Sequence, residues 1–145
     1  MLKKVDKVLA ALGNIKAMER LHVDTFTENM ISDIDGDKIA ESREGQLYIT
    51  IEELNGYLFL ETVILSGINI KTFKGGTLTF FGVEEDFVLK SDTKEIESDY
   101  SNVSNRFITK ITFDINQKEI ERIENRDYKG VRFNFKKKSL TLNMV

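Results

Sequence analysis

The 145-residue chain contains no cysteine, no proline and a single histidine. Without cysteine there can be no disulfides, thiol nucleophiles, iron–sulfur clusters or cysteine-ligated zinc. The one histidine, His22, removes histidine-dense metal sites and leaves any Ser-His-Asp arrangement dependent on one side chain. No Gly-x-Ser-x-Gly elbow accompanies it. Average usage would supply about seven prolines, so turns here must be made by Gly, Asn and Asp. No run approaches the roughly 20 apolar residues of a membrane-spanning helix. The start, MLKKVDKVLAALGNIKA, is basic, but its apolar run from Val8 to Leu12 covers only five residues. A signal-peptide core needs roughly 7–15, so the expected location is cytoplasmic.

What is present describes a globular chain. Hydrophobic residues make up 41% and charged residues 31%, with ten Phe and four Tyr, a balance that can bury a core as one domain spanning residues 1–145. The net charge of −3 conceals a strong segregation. Residues 1–22 carry five Lys/Arg against two Asp/Glu (+3), and 23–62 carry two against ten (−8). Residues 63–100 carry four against seven (−3), and 101–145 carry ten against five (+5). An acidic middle lies between basic ends.

Leu2, Val5, Val8, Leu9 and Leu12 recur at helical spacing and share one face. Ile15, Met18 and Leu21 continue the spacing on a different side, so Gly13 reads as a break inside a helical segment over residues 1–22. From residue 29 onward the period becomes two, with turn signals at Asp35-Gly36, Asn55-Gly56, Ser66-Gly67, Lys74-Gly75-Gly76, Asn116-Gln117 and Tyr128-Lys129-Gly130. Connections this short cannot make parallel crossovers. The expected fold is mainly β, an antiparallel meander over residues 29–145, strongly curved or barrel-like, with the N-terminal helical segment packed on it. Tyr57 to Leu65 is apolar on both faces and should be central, covered on each side. Ser91 to Asn105 has no sustained apolar pattern and reads as a long, mobile loop.

One stretch carries a metal-like spacing. In DIDGDKIAESRE, Asp33, Asp35, Asp37 and Glu44 fall at positions 1, 3, 5 and 12 of an EF-hand-type loop. Position 6, where the chain must turn with positive φ, holds Lys38 instead of Gly, and both flanks read as extended. A hairpin turn at Asp35-Gly36 accounts for the same letters with fewer exceptions.

Other chemistry is sparse. Glu52-Glu53 and Glu84-Glu85-Asp86 offer carboxylate pairs of the kind glycoside hydrolysis uses, but both sit beside turn signals. Gly75-Gly76 lies between strand patterns and not before a helix, which points to a hairpin turn and not a phosphate loop. The basic run Arg126, Lys129, Arg132, Lys136, Lys137 and Lys138 alternates with Phe133 and Phe135, so rings and charges face opposite ways. A single-stranded nucleic-acid platform needs both on one face.

No catalytic residue and no cofactor stands out. The reading favoured is a non-enzymatic, cytoplasmic protein-binding module with segregated surface charge, a description that fits a small inhibitor or immunity-type protein. Its partner is expected to meet Asp37, Glu41 and Glu44, since complementary charge steers association. The alternatives are a carrier of a small apolar ligand in the concavity of the sheet and a carboxylate-based hydrolase.

Overall fold

The computed structural model describes residues 25–145. The chain enters in a helix, α1 (residues 25–32), and continues as β1 (Asp37–Ser42), β2 (Gly45–Leu54), β3 (Tyr57–Ser66), β4 (Lys71–Thr72), β5 (Thr77–Phe81), β6 (Phe87–Lys90), β7 (Ile96–Glu97), β8 (Asp99–Ser101) and β9 (Arg106–Asp114). It then forms α2 (Gln117–Glu124), β10 (Gly130–Phe135) and β11 (Lys138–Met144). Nine strands make one antiparallel sheet in the order β6-β5-β10-β11-β1-β2-β3-β9-β8, and β4 pairs with β7 beside it. Local hairpins join β1 to β2, β2 to β3, β5 to β6, β8 to β9 and β10 to β11. The pairings β1–β11, β5–β10 and β3–β9 connect these into the curved sheet.

The curvature is strong enough to carry β6 back towards β9. Ser91, just after β6, bridges Phe113 of β9, and the Asp92 amide donates to the Thr112 carbonyl at 2.9 Å. The inner face of this half-barrel is a packed aromatic and aliphatic core. Phe80, Phe113 and Phe133 are fully buried. Phe80 stacks on Phe87 at 4.7 Å and meets Tyr128 edge-on at 5.4 Å, while Phe133 meets Phe113 at 6.4 Å and Phe135 at 5.6 Å. Such offset and edge-on pairs add to the stabilisation from area burial.

The Asn55-Gly56 turn forms as the sequence predicts. Leu54 pairs with Tyr57, and the two loop residues take φ of 53° and 80°, the left-handed pair that a two-residue hairpin requires. β3 is central, between β2 and β9, and is covered twice. Leu60 and Ile64 enter the main core, while Leu65 on the other face packs with Ile108 of β9 and Ile31 of α1. Ile31, with Thr27 and the half-buried Met30 and Ile34, makes the stripe that seats α1 on the outer face of β3 and β9.

Several expectations need correction. The expected helical segment over residues 1–22 lies outside the described residues, and helix persists at 25–32, so the β region begins at Asp37 and not at residue 29. Val23 to Thr27 read as extended because its β-branched and aromatic residues favour strands, but the stripe that buries Thr27 and Ile31 decides in favour of helix. Asn116-Gln117 is not a simple turn but the start of α2. The Asn116 side chain accepts from the Glu119 amide at 2.8 Å and the Glu119 carboxylate accepts from the Asn116 amide at 3.1 Å, a reciprocal cap. Ile120 and Ile123 then fall on one face and enter the core.

Gly75-Gly76 links β4 to β5 and is not a hairpin turn, since β4 pairs with β7. Gly76 is required for another reason: a Cβ there would lie 2.5 Å from the buried Phe133 ring. Residues 91–105 are likewise no structureless loop. They contain β7 and β8, Ile96 is buried, and Ser98 anchors the segment. Its hydroxyl accepts from the Ile70 amide at 2.8 Å, lies 3.2 Å from the Ile70 carbonyl, and pairs with the Thr109 hydroxyl at 2.6 Å. Replacing Ser98 with Ala should therefore cost about 1–3 kcal/mol in urea unfolding, the penalty of leaving buried polar partners unpaired. A truly mobile loop would tolerate the change without a measurable shift.

Candidate interaction surface

The structure does not gather the calcium-like residues. Asp33 follows the last turn of α1, Asp35 and Gly36 lie in the link, Asp37 opens β1, and Glu44 sits in the β1–β2 turn. Glu44 accepts instead from the Thr141 amide at 3.0 Å. Among the described residues no three Asp, Glu or His side chains are grouped so as to hold a metal ion. The hairpin assigned to Asp35-Gly36 is also displaced: the turn is made by Arg43-Glu44, between Ser42 and its partner Gly45. Gly36, at φ of 100°, serves a close approach, because a Cβ there would lie 2.5 Å from the Ile49 carbonyl oxygen. Calorimetric titration with Ca²⁺ at physiological salt should show no saturable heat.

The proposed partner residues are partly engaged within the fold. Glu41 pairs with Lys38 at 3.0 Å and accepts from Gln46 at 3.4 Å, and the same pairing raises the Lys38 pKa. Asp37 remains exposed. Among the carboxylate pairs, Glu52 and Glu53 are adjacent in β2 and point to opposite faces. Asp86 caps its own turn by accepting from the Gly82 amide at 3.1 Å. In the basic run, Phe133 and Phe135 are buried in the core as their alternation requires. Arg132 lies 5.1 Å over the Phe81 ring and covers it, and Lys136-Lys137 form the β10–β11 turn. His22 lies outside the described residues.

A different surface emerges from the ends of the pairings. β1 reaches along β2 only to Ile49, and β9 reaches along β3 only to Phe59. The β2–β3 hairpin therefore projects beyond both neighbours. On its outer face Glu52 pairs with Phe59 and Leu54 with Tyr57. Tyr57 stacks on Phe59 at 6.2 Å and its hydroxyl donates to Asp114. Leu54 is 64% exposed and Tyr57 54%.

Beside this tip a groove of about 700 Å³ runs between α1 and the outer face of β2, β3 and β9. Phe26, Met30, Ile34 and Val63 give it apolar walls, and Asp33, Asp35 and Glu61 an acidic rim. Phe26 is 63% exposed. The helix that forms one wall is tethered by Glu28, whose carboxylate accepts from the hydroxyls of Ser101 and Ser104, each at 2.7 Å, with Arg106 3.9 Å away. A second cleft, near α2, is lined largely by charged side chains that include Glu84, Glu85, Lys118, Glu119 and Arg122. Arg122 is held there by Asp127 at 3.2 Å and by the Phe87 ring at 4.7 Å.

Sequence reading missed the hairpin tip and the groove. The signal for the tip was available in Leu54 and Tyr57, apolar residues flanking an Asn-Gly turn; its exposure depends on where the neighbouring strands stop. No protein-family model matches the sequence, and comparison with curated proteins and with solved structures yields no match. Among the described residues no helix is long and apolar enough to cross a membrane.

The tether makes α1 sensitive to acid. The Ser104 and Ser101 hydroxyls, with a smaller contribution from Arg106, hold the Glu28 pKa below its ordinary value of 4.5. A depressed folded-state pKa contributes stability that is present above pH 4.5 and lost as pH falls through the lowered value. Glu28→Gln should remove that part of the pH dependence, so melting-temperature profiles of the two proteins should converge at the acid end.

Proposed function

We propose that this chain is a non-enzymatic protein-binding module and that its contact face is the outer side of the β2–β3 hairpin tip. The observation that carries the reading is the exposure of Leu54 and Tyr57 on a rigid two-stranded element beside Glu52, Glu53 and Asp114. Binding energy concentrates in a few aromatic or aliphatic anchors that a partner can fully desolvate. Surrounding carboxylates select a partner with a basic rim and speed its approach. A small immunity-type or inhibitory protein acting in the cytoplasm is the form this reading takes, with an apolar socket edged by Lys or Arg as the expected feature of its target.

Carriage of an apolar ligand has less support, because Phe80, Phe113 and Phe133 fill the space that a ligand would take within the sheet. Hydrolysis has less support because Glu52 and Glu53 diverge and Asp86 is used by its own turn.

A photo-crosslinking residue at position 54 captures the partner from cells, and binding kinetics then test the face. Leu54→Ala and Tyr57→Ala should each raise the dissociation rate at least about 10-fold, the effect of losing an anchor worth more than 1.4 kcal/mol. Glu52→Gln combined with Glu53→Gln should slow association at low salt and have little effect at high salt. Melting temperatures should hold, because these side chains lie outside the core. A captured partner whose kinetics ignore all four substitutions would refute the assignment.

A further inference from the structure

The groove beside α1 presents an unfinished apolar surface. Ile31, Leu65 and Ile108 are buried beneath the helix, but Met30, Ile34 and Val63 around them are only half-buried and Phe26 is largely exposed. The sequence holds a second unfinished apolar surface, the stripe Leu2, Val5, Val8, Leu9 and Leu12. The main core is already filled by side chains from the described residues, so it offers that stripe no place. The two surfaces belong to one chain and are separated by few residues, since Phe26 itself lines the groove. Tethering of this kind gives an effective concentration in the millimolar range for a short flexible link. Charge points the same way: residues 1–22 carry +3, and Asp33, Asp35 and Glu61 rim the groove.

We infer that the chain's own residues 1–22 occupy the groove, with the Leu2–Leu12 stripe against Phe26, Met30, Ile34 and Val63 and its lysines facing the acidic rim. The break read at Gly13 allows the stripe to double back along α1. The segment then acts as a strap that closes the outer face of β3 and β9. This inference is independent of the partner proposed for the hairpin tip and can fail or succeed without it.

Two measurements on the full chain test it. Carbodiimide joins amines to carboxylates that are in direct contact, so treatment of the monomer followed by peptide mass spectrometry should link Lys3, Lys4 or Lys7 to Asp33, Asp35 or Glu61. The chain has no tryptophan, so Phe26→Trp supplies a unique reporter at the groove. Its emission should be blue-shifted and protected from iodide in an otherwise unaltered chain. Adding Val5→Asp and Leu9→Asp should shift the emission red, expose it to iodide and abolish the cross-links, while far-ultraviolet circular dichroism confirms that the sheet is intact. Reporter emission that is equally exposed with and without the two aspartates would overturn the inference. Cross-links confined to covalent dimers would also overturn it, in favour of exchange between two copies of the chain.

Discussion

β3 imposes the constraint from which the rest of the architecture follows. Its inward side chains, Leu60 and Ile64, and its outward ones, Val63 and Leu65, are all apolar, so the strand needs two covers where an ordinary antiparallel strand needs one. The inner cover comes from curvature, which brings β5, β6 and β10 across the sheet and places Phe80, Phe113 and Phe133 in one mass. The outer cover comes from α1, which cannot close on itself and is fixed by Ile31 below and by Glu28 at its side. Where α1 ends, coverage ends. The groove and the bare hairpin tip are the remainder of an outer face larger than a two-turn helix can cover.

Much of this was legible because it is local. Alternation marked β2, β5, β9, β10 and β11, and Asn55-Gly56 fixed the register of β2 on β3. Ile39 and Ala40 show where alternation alone is insufficient: both are buried because the pairing of β1 with β2 slips between Lys38 and Ala40. The elements that were missed are held by polar groups, which hydrophobic periodicity does not register. α2 has only two apolar residues in eight and depends on the Asn116–Glu119 cap. The stretch 91–105 is ordered by the Ser98 and Ser101 hydroxyls, which substitute for the apolar anchors it lacks.

The acidic loop illustrates the same limit at a candidate site. Asp33, Asp35, Asp37 and Glu44 fit a spacing rule, but spacing produces a site only if the backbone curls around a centre. Here a helix ends at 32 and a strand starts at 37, so the four carboxylates are strung out along a straightening chain. Exposure of Leu54 and Tyr57, by contrast, is set by the lengths of β1 and β9, which are distant in sequence and silent about the hairpin until the strands are paired.

Strand order also changes what the charge segregation means. Along the chain, 23–62 is acidic and 101–145 basic, an imbalance of −8 against +5 that suggests a large exposed field. In the sheet, β1, β2 and β3 of the acidic segment lie between β11 and β9 of the basic one, so most of the opposition is resolved between neighbouring strands over distances shorter than a Debye length of about 8 Å. Glu41 and Glu44 illustrate the result, since each is engaged by groups of the same protein. That compensation requires flanking strands, and the hairpin tip has none beyond Ile49 and Phe59. Negative charge therefore stays uncompensated where Leu54 and Tyr57 are bare, and the charge asymmetry of a whole sequence is concentrated on one two-stranded projection.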